Sequence, residues 1–184
     1  MSKNCVLATL GNDPHTQGLY KASRIAQRAG IAVRLVPPGT TVREIMERIQ
    51  RDDPGYVGLS YRLSPSAGLQ AFTRFLKRLD ETGLLRTANG EVRKLAFAGL
   101  PETMRAIEES GRSLPCEVTT MRQDDDPLDR AARVLDFFDV SDARSATILR
   151  DLRRELSPPT IPKLDQLARA VTADGSYLTE PPLP

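Results

Sequence analysis

The chain has 184 residues, 40% of them hydrophobic and 27% charged, with 26 basic and 24 acidic side chains and a formal net charge of +2. This describes one soluble globular domain long enough to bury a core without covalent staples. It excludes a strong field aimed at nucleic acid or anionic lipid, and no apolar run approaches the ~18 residues of a membrane-crossing helix. Two cysteines, Cys5 and Cys116, are too few for a disulfide framework or a zinc cluster. With no signal-peptide pattern after Met1, the expectation is a reduced, cytoplasmic protein.

Along the chain, apolar runs of strand length alternate with amphipathic runs of helix length. Val6 to Leu10 reads as a first strand, and Gly18 to Ala29 as a helix stopped by Gly30. Ala32 to Val36 is a second strand, closed by Pro37-Pro38-Gly39. Thr41 with Glu44 three residues on predicts a capping box ahead of Ile45 and Ile49. Tyr56 to Ser60 is a third strand. Ser64-Pro65 then opens a helix with Leu69, Phe72, Leu76 and Leu79 on one face. Lys94 to Ala98 and Cys116 to Thr120 read as the fourth and fifth strands, and Leu128 to Phe138 as a fifth helix.

Such an alternation implies parallel strands joined by right-handed crossovers. A five-stranded, flavodoxin-like α/β sheet of order 2-1-3-4-5, with helices on both faces, is the economical solution. Ligands of such sheets bind outside the carboxyl ends of the strands, which directs attention to loops 11–18, 37–40, 60–66, 98–103 and 120–126. Beyond Val140 the character changes. Ser141 to Leu156 is a charged helix with a thin stripe of Ile148, Leu149 and Leu152, broken by Ser157-Pro158-Pro159. Pro162 to Val171 could form a short helix before the Pro-rich end. The expected organisation is a domain over 1–140 and an arm or linker over 141–184, with no internal repeat.

The first loop reads Gly11-Asn12-Asp13-Pro14-His15-Thr16-Gln17-Gly18. Asp13, His15 and Gly18 fall in D-x-H-x-x-G spacing between a strand and a helix. His15 is the chain's one histidine. A neutral imidazole suits a borderline metal ion such as cobalt. An aspartate two residues away can fix its tautomer, and a following glycine lets backbone approach a planar ligand. The bland alternative is a solvated loop histidine with Asp13 as a helix cap.

Over roughly residues 4 to 140 this arrangement resembles the cobalamin-binding domain family. The resemblance implies cobalamin as cofactor, bound base-off, with His15 as the lower ligand to cobalt and Asp13 on the far side of its imidazole. The displaced nucleotide tail would enter a slot in the sheet beside Gly18. Where the family carries Ser-x-Leu after the third strand, this chain has Ser60-Tyr61-Arg62-Leu63, so Arg62 replaces the leucine and Leu63 comes one place late. Where the family carries Gly-Gly after the fourth strand, this chain has Ala98-Gly99. These departures concern the slot. The guanidinium of Arg62 suits a partner, a phosphate or a carboxylate.

Because the first strand begins by residue 5, the resemblance favours the small cobalamin-carrying subunit of an adenosylcobalamin-dependent mutase over a corrinoid methyl carrier. It implies adenosylcobalamin rather than methylcobalamin, and a separate barrel subunit that holds the substrate. Neither nucleic acid nor membrane is an expected partner. A cofactor-free interaction module on the same fold is the competing class. A phospho-receiver version fits poorly, since Ser60 ends the third strand and Met121-Arg122 occupies the lysine region. Asp124-Asp125-Asp126 reads as a solvated loop with a helix cap, and the two cysteines as small buried hydrophobes.

Overall fold

The capping chemistry written into the chain sets where its helices begin and end. In the computed structural model, which describes residues 4–110 and 114–156, the Thr41 hydroxyl accepts from the Glu44 N–H at 3.3 Å while the Glu44 carboxylate accepts from the Thr41 N–H at 2.8 Å. This capping box starts α2 (Val42–Asp52). The Ser64 hydroxyl accepts from the Ala67 N–H ahead of α3 (Pro65–Glu81), whose proline needs no helical donor. At φ +84°, Gly30 ends α1 (Gln17–Arg28), its N–H bonded to the Gln27 carbonyl.

Between these helices lie β1 (Asn4–Thr9), β2 (Ala32–Leu35), β3 (Tyr56–Tyr61), β4 (Lys94–Gly99) and β5 (Val118–Arg122). All pair in parallel, in the order β2-β1-β3-β4-β5 that the alternation predicts. The remaining helices are α4 (Pro101–Glu109), α5 (Pro127–Phe137) and α6 (Asp142–Leu156). The chain reverses its direction of travel across the sheet between β1 and β3, so the crevice for a ligand opens at their carboxyl ends.

The expected boundaries shift in places. The fifth strand starts at Val118 rather than Cys116, because Pro115 lacks the N–H that a ladder needs and Cys116 is left half-buried before the strand. The third and fourth strands each run one residue further, pairing Tyr61 with Gly99. The first strand ends at Thr9, although the Leu10 N–H still donates to the Ser60 carbonyl at 2.9 Å. Pro162 to Val171 and the Pro-rich end lie outside the described residues. Among the described residues, no helix is long and apolar enough to cross a membrane.

The two faces of the sheet are packed differently. Towards α2, α3 and α4 the strands send Val57, Leu59, Leu95 and Phe97, and Phe97 stacks on Phe72 with ring centroids 4.4 Å apart. Towards α1 and α5 the alternate positions of β3 and β4 are Gly58, Ser60, Ala96 and Ala98. The first face is filled by large side chains, whereas the second is floored by small ones. Helix α6 lies against α5 and buries Ile148 to 6% exposure. Burial of that side chain is worth about 1.5–3 kcal/mol. The half-exposed Arg28–Glu155 pair at 2.8 Å adds only about 0–1 kcal/mol.

Gly99 has a steric reason that does not involve the small-residue face. A Cβ there would sit 2.7 Å from the Tyr61 carbonyl oxygen and 3.1 Å from the Met104 methyl. The backbone oxygen cannot retreat without breaking strand pairing. Gly99→Ala is therefore expected to cost about 1–3 kcal/mol of stability by overpacking. Urea unfolding would show this as a lowered midpoint at unchanged slope, and an unchanged midpoint would contradict it.

Candidate functional site

Just past β1 the chain turns through Gly11, at φ +59°, and drives Asp13 into the protein, where its side chain is fully buried. A buried carboxylate survives only if its oxygens are hydrogen-bonded. Oδ2 accepts from the Arg62 N–H at 2.6 Å, which ties the loop to the end of β3. Oδ1 accepts from the His15 N–H at 3.0 Å and meets His15 Nδ1 at 2.6 Å. A carboxylate can only accept, so a neutral ring in the third bond donates from Nδ1. In that tautomer Nε2 carries the lone pair. The ring is 50% exposed, and no hydrogen bond engages Nε2 among the described residues. Asp13 is not a helix cap: the N-cap of α1 is Thr16, which makes no side-chain cap bond.

Beside this loop lies a cavity of about 300 Å³ between the sheet and helices α1 and α5, reaching Leu152 and Leu156 of α6. That volume is at the lower end of small-molecule sites. Its floor follows from the strand register. Leu7, Gly58 and Ala96 are paired neighbours in one row, and Thr9, Ser60, Ala98 and Met121 in the next row towards the mouth. The Thr9 and Ser60 hydroxyls of that row do not line the cavity themselves; they are buried, with no hydrogen-bond partner among the described residues. Two unpaired hydroxyls on adjacent strands are costly, on the order of 1–3 kcal/mol each. They mark a place where a polar ligand atom would be welcomed. At Gly18, in the first turn of α1, an added Cβ would meet nothing within 4 Å.

The predicted site residues fall into distinct places. Asp13, His15 and the Arg62 backbone form one hydrogen-bonded unit. Gly18, Arg62, Ala98 and Gly99 line the cavity, Ala98 with its methyl and Gly99 with backbone. Ser60 sits next to Ala98 in the same row. Leu63 does not line the cavity; it stands 50% exposed on the loop after β3. Gly58 and Ala96, which the sequence reading did not select, complete the floor. Their signal was the large–small alternation of Val57-Gly58-Leu59-Ser60 and Leu95-Ala96-Phe97-Ala98.

Other candidates have structural roles. Asp126 caps α5 by accepting from the Leu128 N–H at 2.8 Å, and Asp125 accepts from the Arg122 N–H at 3.3 Å. Burial pushes the Cys5 thiol far above its ordinary range, and burial together with Asp80 pushes Cys116 up to about 11. Neither is a thiolate at neutral pH.

Asp13→Ala leaves the Arg62 N–H without its acceptor and releases the His15 ring. The expected cost is about 1–3 kcal/mol, read as a lowered urea midpoint. A variant as stable as the wild type would mean that the carboxylate does not hold the loop.

No protein-family model matches the chain, and neither does any curated protein sequence. Among solved structures, a cobalamin-binding protein from Desulfitobacterium hafniense DCB-2 superposes with a TM-score of 0.51 at 23% identity, over 64% of this chain and 52% of that one. The chain thus spans about half the length of that protein. Drosophila melanogaster DJ-1beta matches with a TM-score of 0.46 at 13% identity, over 83% and 98%. The first likeness agrees with the topology above: the chain has a flavodoxin-like α/β fold, a five-stranded parallel sheet with helices on both faces.

Proposed function

We propose that the chain binds cobalamin base-off, with His15 Nε2 as the lower ligand to cobalt and the nucleotide tail in the cavity over Gly58, Ala96 and Ala98. The observation that carries this reading is the Asp13–His15 pair on the loop that reaches the cavity at Gly18 and is bonded to its lining residue Arg62: the 2.6 Å bond to Nδ1 leaves the other ring nitrogen as an available base. Three further features fit the group. The cavity has room for an aromatic base, the Ser60 hydroxyl, without a partner among the described residues, lies on the strand next to the lining residue Ala98, and the helix turn at Gly18 has space above it. The fold shared with the Desulfitobacterium hafniense cobalamin-binding protein adds support.

Each residue then has a task. Asp13 orients the ring and selects its tautomer. His15 supplies the nitrogen. Ser60 offers the buried base a hydroxyl, Ala98 keeps the slot clear, and Gly99 presents only backbone to it. Bound cobalamin would supply the cobalt–carbon bond that carries the difficult chemistry, leaving placement and electrostatics to the protein. By its resemblance the chain is the cobalamin-carrying subunit of an adenosylcobalamin-dependent mutase in the cytoplasm. A separate barrel subunit brings the substrate, and residues 141–184 are its region of contact. Leu63, exposed on the loop after β3, would offer the bound cofactor an apolar contact outside the cavity.

The test is the visible spectrum of the purified chain after incubation with adenosylcobalamin or hydroxocobalamin and removal of free cofactor. The expected result is a coloured protein with a base-off, histidine-on spectrum that His15→Ala loses. A colourless wild type overturns the reading and favours a cofactor-free module. A second variant probes the slot. Ala98→Leu places a larger side chain in the cavity and is expected to weaken cobalamin binding by about tenfold or more, the scale of a 1–3 kcal/mol overpacking cost. Undiminished binding would place the tail elsewhere.

A further inference from the structure

Among the described residues, the cavity is lined by six cations, Lys21, Arg24, Arg28, Arg62, Arg122 and Arg130, and by one acid, Glu155. They are not equivalent. Glu155 pairs with Arg28 at 2.8 Å, and Arg122 pairs with Glu108 at 2.6 Å. Arg62 and Arg130 are held differently. Arg62 Nε donates to the Gln123 side-chain oxygen at 3.3 Å, and Arg130 Nη2 donates to the Asp125 carbonyl oxygen at 2.7 Å.

Both acceptors are neutral, and they stand two residues apart on the loop between β5 and α5. They fix two guanidinium groups in place without cancelling their charge. The carboxylates of this loop are committed or turned out. Asp125 accepts from the Arg122 N–H and faces Arg133 at 3.6 Å, Asp126 caps α5, and Asp124 is exposed. In addition, Arg130 Nε is buried with no partner among the described residues. Oriented, uncompensated arginines are the arrangement that binds phosphate, whose oxygens accept from the planar fork. Pre-orientation lowers the ordering cost of binding.

We propose that Arg62 and Arg130 form a phosphate seat at the mouth of the cavity, taking a phosphate ester whose apolar base lies inside. This rests on the cobalamin reading in one respect: the ester is the phosphodiester of the nucleotide tail. Arg62, which stands where the resembled family has leucine, then has a positive role in ligand choice.

The experiment is calorimetric titration of the full chain with dimethylbenzimidazole riboside and with the same riboside carrying its ribose phosphate, alongside the cobalamin spectrum. The wild type is expected to bind the phosphorylated form about tenfold or more tightly, the scale of one charge-assisted bidentate contact. R62Q/R130Q is expected to lose that preference. The two single variants, each keeping one guanidinium, are expected to lose part of it and serve where the double variant does not fold. Equal affinity for the two ribosides in a wild type that binds cobalamin overturns the seat alone. A preference that survives in the variants overturns its assignment to these arginines. A wild type that binds neither riboside nor cobalamin overturns the cobalamin reading and the seat together.

Discussion

A single buried carboxylate organises the ligand end of this protein. Asp13 is shut away from water at the carboxyl end of the sheet, and its oxygens accept from the His15 N–H, the Arg62 N–H and the His15 ring. An ionised group is tolerated there only because those donors surround it. The same bonds do three things at once. They close the loop after β1 onto the end of β3, they turn the one imidazole of the chain into a defined tautomer, and they leave its second nitrogen free at the rim. Loop conformation and imidazole chemistry therefore depend on the same atoms.

The second constraint is one of volume. Strand side chains alternate between faces, so β3 and β4 could fill one side of the sheet and leave the other thin. Val57, Leu59, Leu95 and Phe97 fill the side under α2, α3 and α4. Gly58, Ala96 and Ala98 leave a gap under α1 and α5, and close packing elsewhere keeps the gap from collapsing. Gly58 lies within this logic too. A Cβ there would strike the Leu7 side chain at 2.5 Å, so any larger residue would push Leu7 into the space. The cavity and the histidine loop meet at the mouth, where Arg62 and Arg130, tethered to the loop after β5, add unbalanced positive charge.

Much of this was legible in the residues. Period-two and period-3.6 patterns gave the order of elements, and the alternation gave the parallel topology. Thr41 with Glu44, Ser64-Pro65 and Gly30 marked helix ends because capping is local chemistry. The start of β5 is not legible locally, because Cys116 and Glu117 are strand-compatible residues while Pro115 just before them supplies no N–H to a ladder. Asp13 and His15 could be singled out by spacing. Their hydrogen bond to one another is local, but the bond from Asp13 to the Arg62 N–H joins residues far apart in the chain, and no spacing rule predicts it. The floor residues Gly58 and Ala96 were written in the sequence as small members of alternating pairs. Reading them as a cavity required the strand register. The tethering of Arg62 and Arg130 to neutral oxygens is a matter of side-chain geometry alone.

The account stands on the protonation pattern of His15, and the chain makes that pattern measurable because it has one histidine. Nitrogen-15 NMR of the free protein, labelled in histidine, at a pH where the ring is neutral, distinguishes the two tautomers directly. The account predicts a proton on Nδ1, an unprotonated Nε2, and loss of that bias in Asp13→Asn. A ring protonated on Nε2, or one that exchanges evenly between tautomers in the wild type, would contradict it.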